Sequence, residues 1–343
     1  MTTISNVCEG IMIGDLHLGQ LVTLFPENHL DLQMAEIRQA LDYAVDQGLP
    51  YVFYLGDISH SATMDYDCLL AFLTLLHQYD DKIESHIILG NHDVANVSSN
   101  ALAPFVRLCE LEKFKNVHIY EKPTQVILND VPINFLPFPH NQPIKSKTKT
   151  VNIAHIERKG STLDNGRVIK TGFEPEGKDI WVVGHIHTFQ TVPPYWYHPG
   201  TLYQTTFGEE LPKGFAHFKF KIKEGKLKHH IDFMETTPGF ILEKLIIEKR
   251  SDIKKLNTNP NHLFKVLVSE GVKVPDNLLT EYPNIIDIKG FSNEKEIKEI
   301  EEQSSLSANF TVKTGLKSFF KAKGSKAQYK RALEILAKFE SSL

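Results

Sequence analysis

Short apolar runs that break off into polar clusters set the rhythm of the first two-thirds of the chain. Gly10-Ile11-Met12-Ile13, Tyr51-Val52-Phe53-Tyr54-Leu55 and Ile87-Ile88-Leu89 show no alternation of apolar and polar positions. Runs of that length and character predict strands buried on both faces. Between the first two, residues 31 to 46 place Leu32, Ala35, Ile37, Leu41, Ala44 and Val45 near helical spacing, and Gly48-Leu49-Pro50 stops the pattern. Residues 69 to 78 predict a second helix. Strands alternating with helices predict a layered α/β fold.

After Val97 the pattern loosens. Val126-Ile127-Leu128 and Ile133-Asn134-Phe135-Leu136 flank Asn129-Asp130, which supplies the turn chemistry of a hairpin. Residues 141 to 150, with Lys145, Lys147 and Lys149, predict an exposed loop. Further strands are expected at 151–154, 180–183, 214–222 and 228–234. The composition shifts at Thr236-Thr237-Pro238-Gly239. Beyond it, residues 240–248 predict a strand, 261–268 a helix and 284–288 another strand, a βαβ-like set that could form a small second domain. Asn293 and Glu296 make a capping box for a polar helix through Gln303. Leu316, Phe319 and Phe320, then Tyr329, Leu333, Leu336 and Ala337 past Gly324-Ser325, predict a helix-loop-helix with one apolar face. The expected division is 1–236, 237–291 and 292–343.

A chain of 343 residues is long enough for two or more domains. Its apolar runs fall far short of a membrane span, and its start lacks a signal-peptide pattern, so a cytoplasmic protein is expected. Cys8, Cys68 and Cys109 are scattered and odd in number, which predicts no disulfide framework and suits a reducing compartment. The net charge of -4 excludes a uniformly basic nucleic-acid binder but leaves room for basic patches. From Gln303 to Leu333 there are seven basic residues and no acidic one. They read either as a solvated helix face or as a phosphate-contacting strip beside an apolar partner face.

The polar clusters bring the chemistry. Five strand ends open into Gly14-Asp15-Leu16-His17, Gly56-Asp57-Ile58-Ser59-His60, Gly90-Asn91-His92-Asp93, His155 and Gly184-His185-Ile186-His187. Active sites built on α/β sheets collect polar residues in this way. The set Asp15, His17, Asp57, Asn91, His155, His185 and His187 is all oxygen and nitrogen with no thiolate. It suits Mn²⁺, Fe²⁺ or Zn²⁺ rather than a structural thiolate zinc site. Seven ligands are too many for one ion and fit two ions that share a carboxylate. Two-metal sites hold their ions about 3.5–4 Å apart and serve in-line hydrolysis of phosphate esters. On the residues alone, Asp15 and His17 also read as a satisfied loop pair, and His155 is flanked by the undistinctive Ile156-Glu157-Arg158. His140 and His198 lie in Pro-rich loops. The chain has no Gly-x-x-x-x-Gly-Lys-[Ser/Thr], so any use of ATP would come from a partner.

Asp-x-His, Gly-Asp, Gly-Asn-His-Asp and Gly-His-x-His in this order resemble the calcineurin-like metallophosphoesterase superfamily. More narrowly, Gly56-Asp57-Ile58-Ser59-His60 resembles the Gly-Asp-x-x-His of the SbcD-type double-strand-break repair nucleases, phage-encoded members included. Leu136-Pro137-Phe138-Pro139, His198-Pro199-Gly200-Thr201-Leu202 and Lys213-Gly214-Phe215 agree with it. The resemblance implies a layered β-sandwich flanked by helices, a small α+β capping domain and a partner-binding tail. It implies that Asp15, His17 and His187 bind one metal and Asn91, His155 and His185 a second, with Asp57 bridging and Mn²⁺ the expected ion. His92 would protonate the leaving oxygen, oriented by Asp93, and His60 would be a second non-ligand histidine facing the substrate.

The implied activity is that of a DNA exonuclease and endonuclease subunit working at DNA ends in recombination, replication and repair. Its implied partner is an SbcC-type ABC ATPase with a coiled coil. Two copies would pair within a heterotetramer, through the helices at 31–46 and 69–78, in the host cytoplasm if the protein is phage-encoded. Two other readings stand beside it. One is a phosphomonoesterase or cyclic-nucleotide phosphodiesterase, against which His60 and the basic amphipathic tail weigh. The other is a non-catalytic adaptor that binds DNA or a partner, against which the complete ligand set weighs.

Overall fold

A computed structural model describes residues 6–291 except 97, 98, 101, 113, 145, 147, 165, 176, 178, 193 and 194. The expected capping box and C-terminal helix-loop-helix lie outside the described residues. The strands begin with β1 (Val7–Ile13), β2 (Tyr51–Tyr54) and β3 (Glu84–Ile88), then a short pair, β4 (Val94–Asn96) and β5 (Ser99–Asn100), and β6 (Val117–Tyr120). They continue with β7 (Thr124–Leu128), β8 (Val131–Leu136), β9 (Val151–His155), β10 (Ile180–Gly184), β11 (Gln190–Val192) and β12 (Trp196–His198). The last are β13 (Gly214–Lys223), β14 (Lys226–Glu235), β15 (Ile241–Ile247), β16 (His262–Ser269) and β17 (Ile285–Phe291). The helices are α1 (His29–Asp46), α2 (Tyr66–Tyr79), α3 (Ala103–Glu112) and the single turn α4 (Leu278–Glu281).

Two six-stranded sheets, in the orders β14-β13-β1-β2-β3-β6 and β11-β12-β10-β9-β8-β7, pack face to face. The unbroken apolar runs have a simple cause: each central strand buries both of its faces. In β1 and β2, Met12 and Phe53 point into the sandwich, whereas Ile11, Ile13, Val52 and Tyr54 point at the helices. In β10, Ile180 and Val182 face the sandwich, and Trp181 and Val183 face an outer cluster with Trp196. Phe53 is the pivot of the inner core, stacked on Phe218 at 4.7 Å and edge-on to Phe135 at 5.3 Å. Helix α1 buries Met34, Ile37, Ala40, Leu41 and Ala44, and α2 buries Cys68, Phe72, Leu75, Leu76 and Tyr79, both at helical spacing. Asp65 caps α2 by accepting from Asp67 N at 2.9 Å.

The third sheet, β15-β16-β17, is parallel throughout and has its own cluster of Leu245, Ile247, Leu256, Phe264, Val266, Leu278 and Ile285. Residues 262–269 are its central strand, not the helix that the sequence suggests. Leu263, Phe264, Val266 and Leu267 are buried between two partner strands, where β-branched and aromatic residues pack best. The crossovers are a 3₁₀ turn at Arg250–Lys255 and the short α4. Only half of the described residues of the 141–150 loop are exposed: Thr150 is buried, and Lys149 Nζ sits 3.8 Å over the Tyr195 ring. Among the described residues no helix is long and apolar enough to cross a membrane. Cys8 and Cys68 are buried and free.

Two polar side chains of α1, the buried Glu36 and the half-buried Gln39, clamp the segment that leads into the third sheet. Gln39 pairs with both backbone groups of Thr237 at 2.9 Å, and Glu36 accepts from Gly239 N and from Gln39 Nε2. Burial pushes the Glu36 carboxyl up to about 7, against the pull of those two donors. The folded chain therefore keeps a proton there that the unfolded chain releases near 4.5, so stability falls as pH rises between those values. Glu36→Gln keeps an acceptor and removes the charge. Its melting temperature should exceed that of the wild type by a few degrees at about pH 8 and converge on it below about pH 4.5; scanning calorimetry across that range checks this.

Candidate metal centre

The parallel strands β1, β2 and β3 of one sheet and β9 and β10 of the other release their loops at a common edge. Backbone hydrogen bonds zip these loops together: His17 N donates to Asp57 O at 2.8 Å, and Leu18 N to Ile58 O at 2.9 Å. His185 N donates to the Asp15 carboxylate at 2.9 and 3.1 Å. His17, Asp57 and His185 all have left-handed backbones, with φ of 44°, 50° and 83°. Residues other than glycine rarely sit there, and such strain concentrates at functional sites. Gly90 shows how tightly the loops meet. A Cβ on it would lie 2.1 Å from Asp57 Oδ1 and 2.3 Å from Asp57 N.

The structure brings all seven expected ligands together, in two groups. Asp15, His17 and His187 form one; Asp57, His155 and His185 form the other, with Asn91 between the last two rings. Across the first group, His17 Nε2 faces His187 Nε2 at 3.1 Å. In the second, Asn91 Oδ1 lies 2.8 Å from His155 Nε2 and 3.0 Å from His185 Nδ1. Asp57 Oδ2 stands 3.4 Å from His155 Nε2 and 3.7 Å from His17 Nε2, so one carboxylate oxygen touches both groups.

The outer nitrogens of three rings are occupied by acceptors. His155 Nδ1 donates to the Leu55 carbonyl oxygen at 2.8 Å, His185 Nε2 to Glu157 at 3.0 Å and His187 Nδ1 to Glu209 at 3.0 Å. That network assigns the tautomers and turns the other nitrogen of each ring inward as a lone pair. Lone pairs facing Asn91 Oδ1, the Asp57 carboxylate and one another need positive charge between them. Burial opposes charge on His155, yet Asp57 and then Asp15 push it up to about 10; Glu209, Asp164 and Asp15 likewise outweigh burial and push His187 up to about 9. Burial tends to raise Asp57, but the His155 charge and hydrogen bond hold it well below the ordinary carboxylate range. Burial, then the His155 charge, pushes His185 down. Buried carboxylates that draw protons onto neighbouring imidazoles fit divalent cations, and an all-oxygen-and-nitrogen donor set fits borderline or hard ones.

Beside the two groups sit His92 and His60. His92 N donates to Asp57 Oδ1 at 2.8 Å, and its ring lies edge-on to His17 at 4.7 Å. His60 is half-buried, its ring 5.8 Å from that of His92 and 5.9 Å from that of His17. Asp93 corrects one expectation: it is not what orients His92. Its buried carboxylate accepts from the backbone N–H groups of Gly90, Ser59 and Ile58 at 2.9, 2.8 and 3.3 Å. Loop donors in a dry interior must be paired, and Asp93 pairs three of them. The His92 ring is held instead by the backbone carbonyl of His60, which accepts from Nδ1 at 2.8 Å.

The model of the calcineurin-like phosphoesterase family matches residues 11–189, the stretch from β1 past His187. The chain belongs to the calcineurin-like phosphoesterase family. Phosphoesterases of this family generally use divalent metal ions. This phosphoesterase is also 29% identical over 220 residues to exonuclease subunit 1 of Enterobacteria phage T4; the match covers 60% of the chain and 63% of that protein.

Several residues of the phosphoesterase's centre escape a reading of the motifs. Glu157, Glu209 and the Leu55 carbonyl hold the outer nitrogens of its histidines, and Lys213 pairs with Glu209 at 2.6 Å. The one signal was that Glu157 stands two positions after His155. His198 does not join the centre. It is fully buried, accepts from Trp196 Nε1 at 2.8 Å, and donates from Nδ1 to the Val183 carbonyl oxygen at 3.1 Å; burial pushes it down to about 3. His140 is exposed.

Gly90→Ala tests how closely the two loops must approach. Its Cβ meets both the side chain and the backbone of Asp57, so overpacking should cost about 1–3 kcal/mol. Denaturant unfolding should show that loss, and metal analysis should show reduced uptake. Wild-type stability together with wild-type metal content would mean that the loops yield freely.

Proposed function

We propose that this phosphoesterase is a metal-dependent DNA nuclease subunit, cutting phosphodiester bonds as an exonuclease and endonuclease at DNA ends. The observation that carries the proposal is the place of Asp57 Oδ2 between His17 and His155, beside His92 and His60, whose ring nitrogens gather with that of His17 at the rim of the two groups. Asp15, His17 and His187 would hold one ion, and Asn91, His155 and His185 the other, with Asp57 shared and Mn²⁺ the expected metal. Bound divalent ions supply a nucleophile from water at neutral pH and offset the charge that develops on phosphate. The phage exonuclease subunit with which the chain shares 29% identity supports DNA as the substrate.

The proton is the task of the chain's own residues. With Nδ1–H held by the His60 carbonyl, His92 has Nε2 free to carry a proton to the leaving oxygen. His60 faces the same edge as a second non-ligand histidine. Asp93 contributes at one remove, by fixing the loop that carries Asp57.

The partner we propose is an SbcC-type ABC ATPase with a coiled coil, since the chain itself has no ATP-binding Gly-rich Lys motif. The word "subunit" in the relative's name supports a partner. Residues 1–236 would be the catalytic domain, 237–291 a capping domain, and 292–343 the partner-binding tail. Two copies would pair within a heterotetramer.

His92→Asn tests the division of labour. It should keep both ions and DNA binding while losing rate on duplex ends by roughly 100- to 10,000-fold. The loss should shrink on a p-nitrophenyl phosphodiester, whose leaving group needs little protonation. A wild-type protein active on p-nitrophenyl phosphate but inert on DNA would favour a phosphomonoesterase. Equal losses on both substrates, with an ion gone, would make His92 a ligand.

A further inference from the structure

Glu209 is a buried carboxylate that none of the motifs marks. Its Oε1 accepts from His187 Nδ1 at 3.0 Å, and its Oε2 pairs with Lys213 Nζ at 2.6 Å and accepts from Thr205 N at 3.2 Å. The Thr205 hydroxyl bonds to the same carboxylate. Lys213 Nζ also donates to the His187 carbonyl oxygen at 2.9 Å. The ion pair thus grips His187 at both ends, the ring through Glu209 and the backbone through Lys213. Glu209 is anchored in turn. Its own carbonyl accepts from Gln204 Nε2 at 2.7 Å, and the Gln204 amide pairs with both backbone groups of Leu242 in β15 at 2.9 Å.

Asp164 is a weaker candidate for the same task. Its nearer oxygen is 3.5 Å from His187 Nδ1, and it is partly exposed and takes the Thr188 hydroxyl at 2.8 Å. A buried Glu–Lys pair contributes little to stability over apolar residues of the same volume. Its value here is the fixed direction of one oxygen. A histidine ligand whose outer N–H is held by a carboxylate has its ring rotation and tautomer set, and removing such a partner typically costs 10- to 100-fold in metal affinity.

We propose that Glu209 is a positioning residue for the first ion: it holds the Nδ1 proton of His187 so that Nε2 faces His17 as a lone pair, while Lys213 and Gln204 hold Glu209. This rests on reading Asp15, His17 and His187 as ligands of one ion.

The test is a Mn²⁺ titration of the chelator-stripped full chain by calorimetry, with thermal unfolding recorded for every variant. E209L/K213M removes the pair and the acceptor; E209Q/K213M removes the pair but keeps an acceptor oxygen. The first should lose about 10- to 100-fold at one of two sites while the other changes by less than about threefold. The second should stay within about threefold of wild type at both. Should the first double variant fail to fold, E209D withdraws the oxygen with the charge retained and should weaken the same site by about tenfold. Wild-type affinity in E209L/K213M or E209D, or a loss shared equally by the two sites, would overturn the positioning role. A wild-type chain that takes up fewer than two ions would instead overturn the ligand reading on which it rests.

Discussion

The centre depends on one constraint, the burial of the Asp57 carboxylate where the loops leaving β2 and β3 touch. Asp57 is about 1% exposed, its backbone is left-handed, Gly90 presses on it, and its two oxygens divide their work. Oδ1 accepts from His92 N, and Oδ2 faces His155 and His17. An isolated buried carboxylate would take up a proton. This one stays charged because imidazoles from four other loops or strand ends surround it. Asp93, equally buried beside it, goes the other way: burial and then the Asp57 charge push it up to about 7. Geometry separates the two roles: Asp57 faces the imidazoles, whereas Asp93 accepts from backbone N–H groups.

The surrounding fold serves that constraint. Strands buried on both faces are rigid supports, and five of their loops or ends converge without any regular helix in the site itself. Three residues of those loops are left-handed, and Phe53 of β2 packs between Phe135 and Phe218 in the sandwich core. The third sheet is tied in through polar side chains as well as apolar ones, by Glu36 and Gln39 at its entry and by Gln204 at Leu242. Gln204 also touches Glu209, so the packing of β15 reaches His187 in two steps.

The strand-end motifs were legible because burial on both faces leaves continuous apolar runs and because glycine, aspartate and histidine sit at fixed offsets after them. What local pattern cannot show is long-range pairing. Glu209 lies 22 positions from His187, and Leu55 holds His155 from 100 positions away through a backbone carbonyl that every residue type possesses. The resemblance paired Asp93 with its neighbour His92, but the carboxylate accepts from the backbone N–H groups of Gly90, Ser59 and Ile58 instead. Residues 262–269 misled for a different reason. A short apolar run inside a parallel sheet has no period that separates it from a buried helix, and only its two partner strands decide the matter. Helix α3 and strands β6, β11 and β12 are short and only partly apolar, and no pattern in the sequence marked them.

The most direct measurement is anomalous diffraction at the manganese edge from crystals of the full chain grown with Mn²⁺. Two peaks about 3.5–4 Å apart are expected, with Asp57 reaching both, Asp15, His17 and His187 around one, and Asn91, His155 and His185 around the other. A single peak, or two peaks of which Asp57 touches at most one, would contradict a centre built on a shared carboxylate.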